Sequence, residues 1–260
     1  MRLLLSIEYD GGSYCGWQKQ NNVKTIQGKI QESIFKFSQE KVIIYGAGRT
    51  DSGVHATGQI AHFDTSINRQ EDKWILGLNS LLPEDIKINY VKYMDDSFHA
   101  RFSALSRTYR YIIYNNRIKP CLLRNKVCWY YLNNLDENRM LTSANLLIGE
   151  KDFSCFRSSN CQSNSPIRKI HDIIINRKDD YLYIDIRANS FLYNMVRNIV
   201  GSLVLIGSGE KDIFWLENLI SSKNRDNAGK QFPAKGLYLV NIEYDLKFNI
   251  EKKIYFPQYH

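Results

Sequence analysis

The spacing of apolar positions divides this chain into strands and helices in regular succession. Leu3, Leu5, Ile7 and Tyr9 alternate along one face of a first predicted strand. Thr25 has the chemistry of a helix N-cap, and Ile26, Ile30, Ile34 and Phe37 follow at helical spacing, with Lys29, Glu32 and Lys36 on the opposite face. Val42–Tyr45 and Gln59–Phe63 read as two further strands. Trp74, Leu78 and Leu81, with Ile75 and Leu82 alongside, predict a second helix that Pro83 stops, and Ile86, Ile88 and Tyr90 alternate after it. Ser106–Tyr114 is a strand by β-propensity. Leu141, Ala144, Leu147 and Ile148 predict a helix ended by Gly149. The polar segment from Arg157 to Arg168 reads as a loop, and a hairpin turns at Lys178-Asp179-Asp180. From Phe191 to Val204 a helix is apolar around most of its circumference, so it is expected to be buried, and Arg197 within it calls for a carboxylate partner. Trp215, Leu219 and Ile220 mark another helix, and Tyr238, Val240, Ile242 and Tyr244 a last strand. The remainder, from Asp245, has no period and reads as a basic, aromatic surface tail.

Strand, helix, strand, helix, strand is thus followed by a similar series. The expected class is α+β: two similar halves, residues 1–105 and 106–260, joined near 104–106, with mixed or antiparallel sheets available to line a shared cleft. At 260 residues and 43% hydrophobic content, either half can bury a core. The net charge of +8 points to a polyanionic partner, and its cations are spread along the chain, so any positive surface is assembled by folding. Five cysteines without a CxxC pair argue against a disulfide framework or zinc knuckle and for a reducing, cytoplasmic compartment. His55 and His62 have no carboxylate cluster beside them to complete a metal site, and no apolar run of membrane-spanning length occurs.

Chemistry concentrates in Gly46-Ala47-Gly48-Arg49-Thr50-Asp51-Ser52-Gly53-Val54-His55-Ala56. Three glycines within eight residues permit positive φ and close approach to another molecule, and the loop carries a guanidinium and a carboxylate two positions apart. Such a loop is either a surface turn with a local Arg–Asp pair or the mount of a catalytic carboxylate. Two other segments stay equally open. Tyr9–Gln18, dense in glycine, aromatics and amides, is turn chemistry around a buried Trp17 or a set of faces for a nucleotide. Arg107, Tyr109, Arg110 and Tyr111 suit base stacking and phosphate contact, and also a half-buried sheet face.

Tyr9-Asp10-Gly11, Gly16-Trp17-Gln18, Thr25-Ile26-Gln27, Gly48-Arg49-Thr50-Asp51-Ser52-Gly53-Val54-His55, Phe98-His99-Ala100-Arg101-Phe102 and Met195-Val196-Arg197-Asn198-Ile199-Val200-Gly201, in that order, resemble the tRNA pseudouridine synthase A family. The resemblance runs from the first strand to about Tyr244. It implies a cofactor-free isomerisation of uridine to pseudouridine in tRNA, at the positions counted 38, 39 and 40 in the anticodon stem-loop. It further implies two α+β halves flanking a catalytic cleft, and a homodimer in which one tRNA touches both subunits. On the matching positions, Asp51 is the catalytic aspartate, Tyr109 the tyrosine that stacks on the target uracil, and Arg197 the arginine that keeps the aspartate ionised. Arg49 contacts the flipped nucleotide or fills its place, since a base within a stem must leave the stack to react. Arg69, Phe98–Phe102 and the stretch Asn160, Cys161, Gln162, Ser163 and Asn164 match tRNA contacts. Asn164 stands where the resemblance calls for an arginine, a role open to Arg157 or Arg168. The other classes considered are a non-catalytic RNA-binding protein and a hydrolase. A binder gains nothing from a carboxylate where phosphates approach, and a hydrolase lacks a second acid or histidine in the motif.

Overall fold

The computed structural model describes residues 1–159, 161–251 and 253–259. In chain order the elements are β1 (Arg2–Tyr9), α1 (Ile26–Ser38), β2 (Tyr45–Gly46), β3 (His55–Asp64), α2 (Glu71–Leu81), β4 (Ile86–Met94), β5 (Ala104–Asn115), β6 (Cys128–Tyr130), α3 (Glu137–Ala144), β7 (Gly149–Asp152), β8 (Ile167–Lys178), β9 (Tyr181–Ala188), α4 (Met195–Gly207), α5 (Ile213–Ser222) and β10 (Leu237–Tyr244), joined by short 3-10 turns. The chain is α+β. It forms two compact units: Met1–Arg107 with Tyr238–Pro257, and Thr108–Leu237 with the end of the chain.

In the first unit the strand order is β4-β1-β3-β10, with β2 beside β3. β1 is antiparallel to both neighbours, and β10 is parallel to β3 through Tyr238↔His55 and Leu239↔Ala56. Leu3, Leu4, Leu5 and Ile7 are all fully buried, so β1 hides both faces, as a central strand does. The Thr25 hydroxyl accepts from the Gly28 N–H and starts α1. Ile26, Ile30 and Ile34 of α1 are fully buried, each contributing about 1.5–3 kcal/mol. Trp74 of α2 joins the helices to the sheet, its ring 5.2 Å from Phe37 and 5.7 Å from Phe63.

Several elements differ from their sequence expectation, each through a partner distant in sequence. Val42–Ile44 is not strand: side-chain amides of α1 take its carbonyls, Gln31 Nε2 to Val42 O at 2.7 Å and Gln27 Nε2 to Ile44 O at 2.8 Å. β3 begins at His55, four residues before expectation, where β10 pairs with it. The last strand belongs with the first unit by contact, although the sequence division assigns it to the second half. Segment 245–257 is attached to the same unit. The Phe248 ring lies 5.2 Å from Phe98, Thr57 Oγ1 donates to Tyr255 O at 2.6 Å, and Pro257 is buried.

The second unit orders its strands β5-β9-β8-β7, with β6 parallel to β5. β8 and β9 form the expected hairpin, Lys178 facing Tyr181 across Asp179 (φ 51°) and Asp180. α4 starts at Met195, not at Phe191, because Asn194 takes the left-handed conformation (φ 61°) and turns the chain. It is buried on nearly every side as expected, and at Gly201 a Cβ would lie 1.9 Å from Lys230 O, so only glycine lets segment 229–232 cross the helix.

Candidate active site

In the first unit the Gly46–Val54 loop is held by the segment after β1. Asp51 O accepts from Val54 N–H at 3.1 Å, closing a turn in which Gly53 has φ +78°. Tyr14 O accepts from Ser52 Oγ at 3.1 Å, and Trp17 N–H donates to Thr50 O at 3.0 Å. That approach requires Gly16, which has φ +81° and where a Cβ would lie 2.6 Å from Thr50 O. Trp17 is 1% exposed, so the aromatic loop is scaffold here and offers no indole face. At the other end of the loop, Arg107 donates to Ala47 O at 3.2 Å and to Arg101 O at 2.7 Å. The buried His55 accepts from Gly11 N–H at 3.2 Å and stacks on Tyr238, the centroids 4.8 Å apart. The loop therefore presents an exposed Arg49 and a half-buried Asp51 on a backbone tied down on both sides.

The Phe98–Phe102 segment divides by burial. Phe98 and Ala100 are 0% exposed, so their side chains anchor the turn in the core. His99, Arg101 and Phe102 face outward, with the His99 and Phe102 centroids 4.3 Å apart and the Arg101 guanidinium 5.6 Å from the Phe102 ring. Tyr45, read from the sequence only as a strand residue, joins them, its ring 5.4 Å from His99 and stacked at 5.1 Å on His62. Burial, then neighbouring His99 and Arg2, push the His62 imidazole down to about 4, and its Nδ1 accepts from Ala100 N–H at 3.1 Å. Arg69 lies over the Phe37 ring at 4.4 Å, half-buried. Among the described residues no group of three metal-ligating side chains is present, and no helix is long and apolar enough to cross a membrane.

In the second unit Tyr109 is 7% exposed on β5, its ring edge-on to Phe191 at 5.1 Å. Phe191 can pack there because it precedes α4. Arg110 points to the other face and is buried in a two-pronged pair with Asp185, both contacts 2.7 Å. The alternative of phosphate contact is thereby closed for Arg110. Arg197, half-buried at the start of α4, donates from Nε to Phe232 O at 2.6 Å and from Nη1 to Asn194 Oδ1 at 3.1 Å. With its amide oxygen turned toward the guanidinium, Gln231 accepts from Nη1 at 2.6 Å and Nη2 at 2.8 Å. A short strap thus orients this arginine.

The segment expected to touch tRNA is a loop in the same unit. Asn160 lies outside the described residues, and Cys161, Gln162, Ser163 and Asn164 are exposed or half-exposed. Arg157 donates to Cys161 O at 2.9 Å and Ser163 O at 2.8 Å, and Arg168 to Ser163 Oγ at 2.6 Å. Both candidate substitutes for the missing arginine therefore also brace the loop. Burial raises the Cys161 thiol, but N–H groups of Tyr193 and Ser163 and the charge of Arg157 outweigh it and bring the thiol below its ordinary value.

The family model described as "tRNA pseudouridine synthase" matches residues 5–103 and 143–245. The tRNA pseudouridine synthase A of Shewanella denitrificans is 47% identical over 252 residues, spanning 97% of this chain and 96% of that protein. That of Photorhabdus laumondii subsp. laumondii is 47% identical over 250 residues (96% and 94%), and that of Glaesserella parasuis serovar 5 is 46% identical over 250 residues (96% and 95%).

Proposed function

The chain belongs to the tRNA pseudouridine synthase family, and from that premise we propose that Asp51 is its catalytic carboxylate. The protein is an isomerase that converts uridine in tRNA to pseudouridine. In that reaction the N1–C1′ bond breaks, a C5–C1′ bond forms, the C5 proton leaves and N1 gains one. Substrate and product are isomers, so the sum needs no oxidant or reductant. A carboxylate serves as nucleophile at uracil C6 or at ribose C1′, or steadies and deprotonates the detached sugar. The observation that carries the reading is the Gly48–His55 loop, where a half-buried Asp51 follows an exposed Arg49 on backbone fixed from both sides.

The other assignments form one proposal with it. Tyr109 stacks on the extruded uracil, Arg49 contacts the flipped nucleotide, and Arg197 pairs with Asp51 and keeps it ionised. Its support is the strap of Asn194, Gln231 and Phe232 that fixes the guanidinium. His99, Arg101, Phe102, Arg69 and the 161–164 loop extend along the tRNA. The substrate uridines are those at positions 38, 39 and 40, the working form is a homodimer, and the compartment is the cytoplasm. Arg197→Ala is expected to lower kcat on the order of 10²-fold, the scale of losing one preorganised charge partner, with Arg197→Lys recovering part because it keeps charge but not the fork. Unchanged kcat and unchanged melting in Arg197→Ala would contradict the pairing.

Because C5 loses its hydrogen in every turnover, tRNA transcript tritiated at uridine C5 tests the proposal directly. Release of tritium by the wild type and none by Asp51→Asn is the expected result. Tight binding without release would instead favour a non-catalytic RNA-binding protein.

A further inference from the structure

Two buried polar side chains lie next to the Asp51 loop. Gln59 of β3 is 0% exposed and Tyr9 at the end of β1 is 3% exposed. Ile7 pairs with Gln59 across β1 and β3, and Tyr9 stands two residues beyond Ile7 on the same face, just past a bulge in the register. A glutamine and a tyrosine are costly in such a core unless their polar atoms are satisfied. Theirs are satisfied by the loop. Gln59 Nε2 donates to Gly48 O at 2.7 Å, and its Oε1 accepts from Gly48 N–H at 3.4 Å. The Tyr9 hydroxyl lies 2.7 Å from Thr50 Oγ1.

The two contacts fall on the residues immediately before and after Arg49. We propose that Tyr9 and Gln59 are positioning residues: a buried bracket that holds Gly48 by its peptide and Thr50 by its hydroxyl on either side of Arg49, and so aims both Arg49 and Asp51 at the extruded nucleotide. The proposal rests on the assignment of Asp51 made above. An apolar pair would fill this core equally well, as Leu3, Leu5 and Ile7 do beside it. What an apolar pair cannot do is hold the Gly48 peptide and the Thr50 hydroxyl in place. A shift of about 1 Å in a catalytic group lowers rate by up to about 10²-fold, so small motions of this loop are enough to register in kcat.

The test uses Tyr9→Phe and Gln59→Met, which keep shape and burial while removing the contacts, and Thr50→Val, which removes the partner of Tyr9. Steady-state turnover, KM and tRNA affinity are measured on the full chain, with Asp51→Asn alongside. The bracket predicts kcat lower by about 10- to 100-fold in Tyr9→Phe and Gln59→Met, with KM and tRNA affinity within about threefold. It also predicts that Tyr9→Phe and Thr50→Val are not additive in kcat, because each deletes the same bond. A fall in melting temperature with kcat unchanged in both bracket variants would overturn the proposal, because it is the result of core packing alone. Should Gln59→Met fail to fold, Tyr9→Phe and its cycle with Thr50→Val still decide; should Tyr9→Phe fail, Gln59→Met and Thr50→Val alone still decide. An active Asp51→Asn would overturn the underlying assignment and the bracket with it, whereas an inactive Asp51→Asn beside fully active Tyr9→Phe and Gln59→Met would overturn the bracket alone.

Discussion

Asp51→Asn is expected to abolish pseudouridine formation, a loss of at least about 10⁴-fold in kcat of the size seen when a covalent catalyst is removed, and to leave tRNA affinity within about tenfold. Asparagine keeps the shape of aspartate but is neither a nucleophile nor a base at this step. Affinity survives because phosphate contacts by lysine and arginine dominate RNA binding, and loss of a negative charge beside a polyanion cannot weaken it through repulsion. The loop is held by Tyr14, Trp17 and Arg107. The substitution therefore separates chemistry from binding. Paired measurements of turnover and of affinity by filter retention check it, and a variant that keeps substantial activity rules out the nucleophile and base roles together.

Arg110→Leu is expected to lower stability by about 3–5 kcal/mol, because it strands the buried Asp185 carboxylate without its arginine partner. Two contacts of 2.7 Å and side chains 8% and 11% exposed mean that the pair is largely shielded from water. The guanidinium also lies 5.0 Å from the Tyr183 ring centroid, a contact that leucine does not replace. The double variant Arg110→Leu/Asp185→Leu recovers much of the loss, since an apolar pair of similar volume removes the buried charge altogether. Urea unfolding of the three variants measures this. A single-variant loss below about 1 kcal/mol would place the pair in the class of solvent-screened surface bridges.

The contrast between these residues shows what the sequence could reveal. Asp51 stands out as a candidate because its neighbours Gly48 to His55 are consecutive, and a motif of consecutive residues is read without knowing the fold. The Thr25 cap and α1 were legible for the same reason: Thr25 and the isoleucines that follow it are close together in sequence. Arg110 was ambiguous because its partner lies 75 residues away, and alternation of Tyr and Arg along β5 does not say which face is dry. Phe98 and Ala100 belong to a stretch that resembles an RNA contact, but burial is set by Phe248 and Tyr244, far along the chain. The start of α4 was misplaced by four residues because apolar spacing continues through Phe191 and Leu192, while the left-handed turn at Asn194 leaves no mark on that spacing. The Tyr9–Thr50 contact, across 41 residues, has no signature in spacing at all.

Uridine isomerisation through Asp51 on the 3′ side of the anticodon stem is the activity proposed for this chain. The most direct measurement is to incubate the purified protein with an unmodified tRNA transcript carrying uridines there, and to map pseudouridine by carbodiimide-dependent primer extension. Stops at positions 38, 39 or 40 with the wild type, absent with Asp51→Asn, are the predicted result. Stops elsewhere only, or stops that persist with Asp51→Asn, would contradict it.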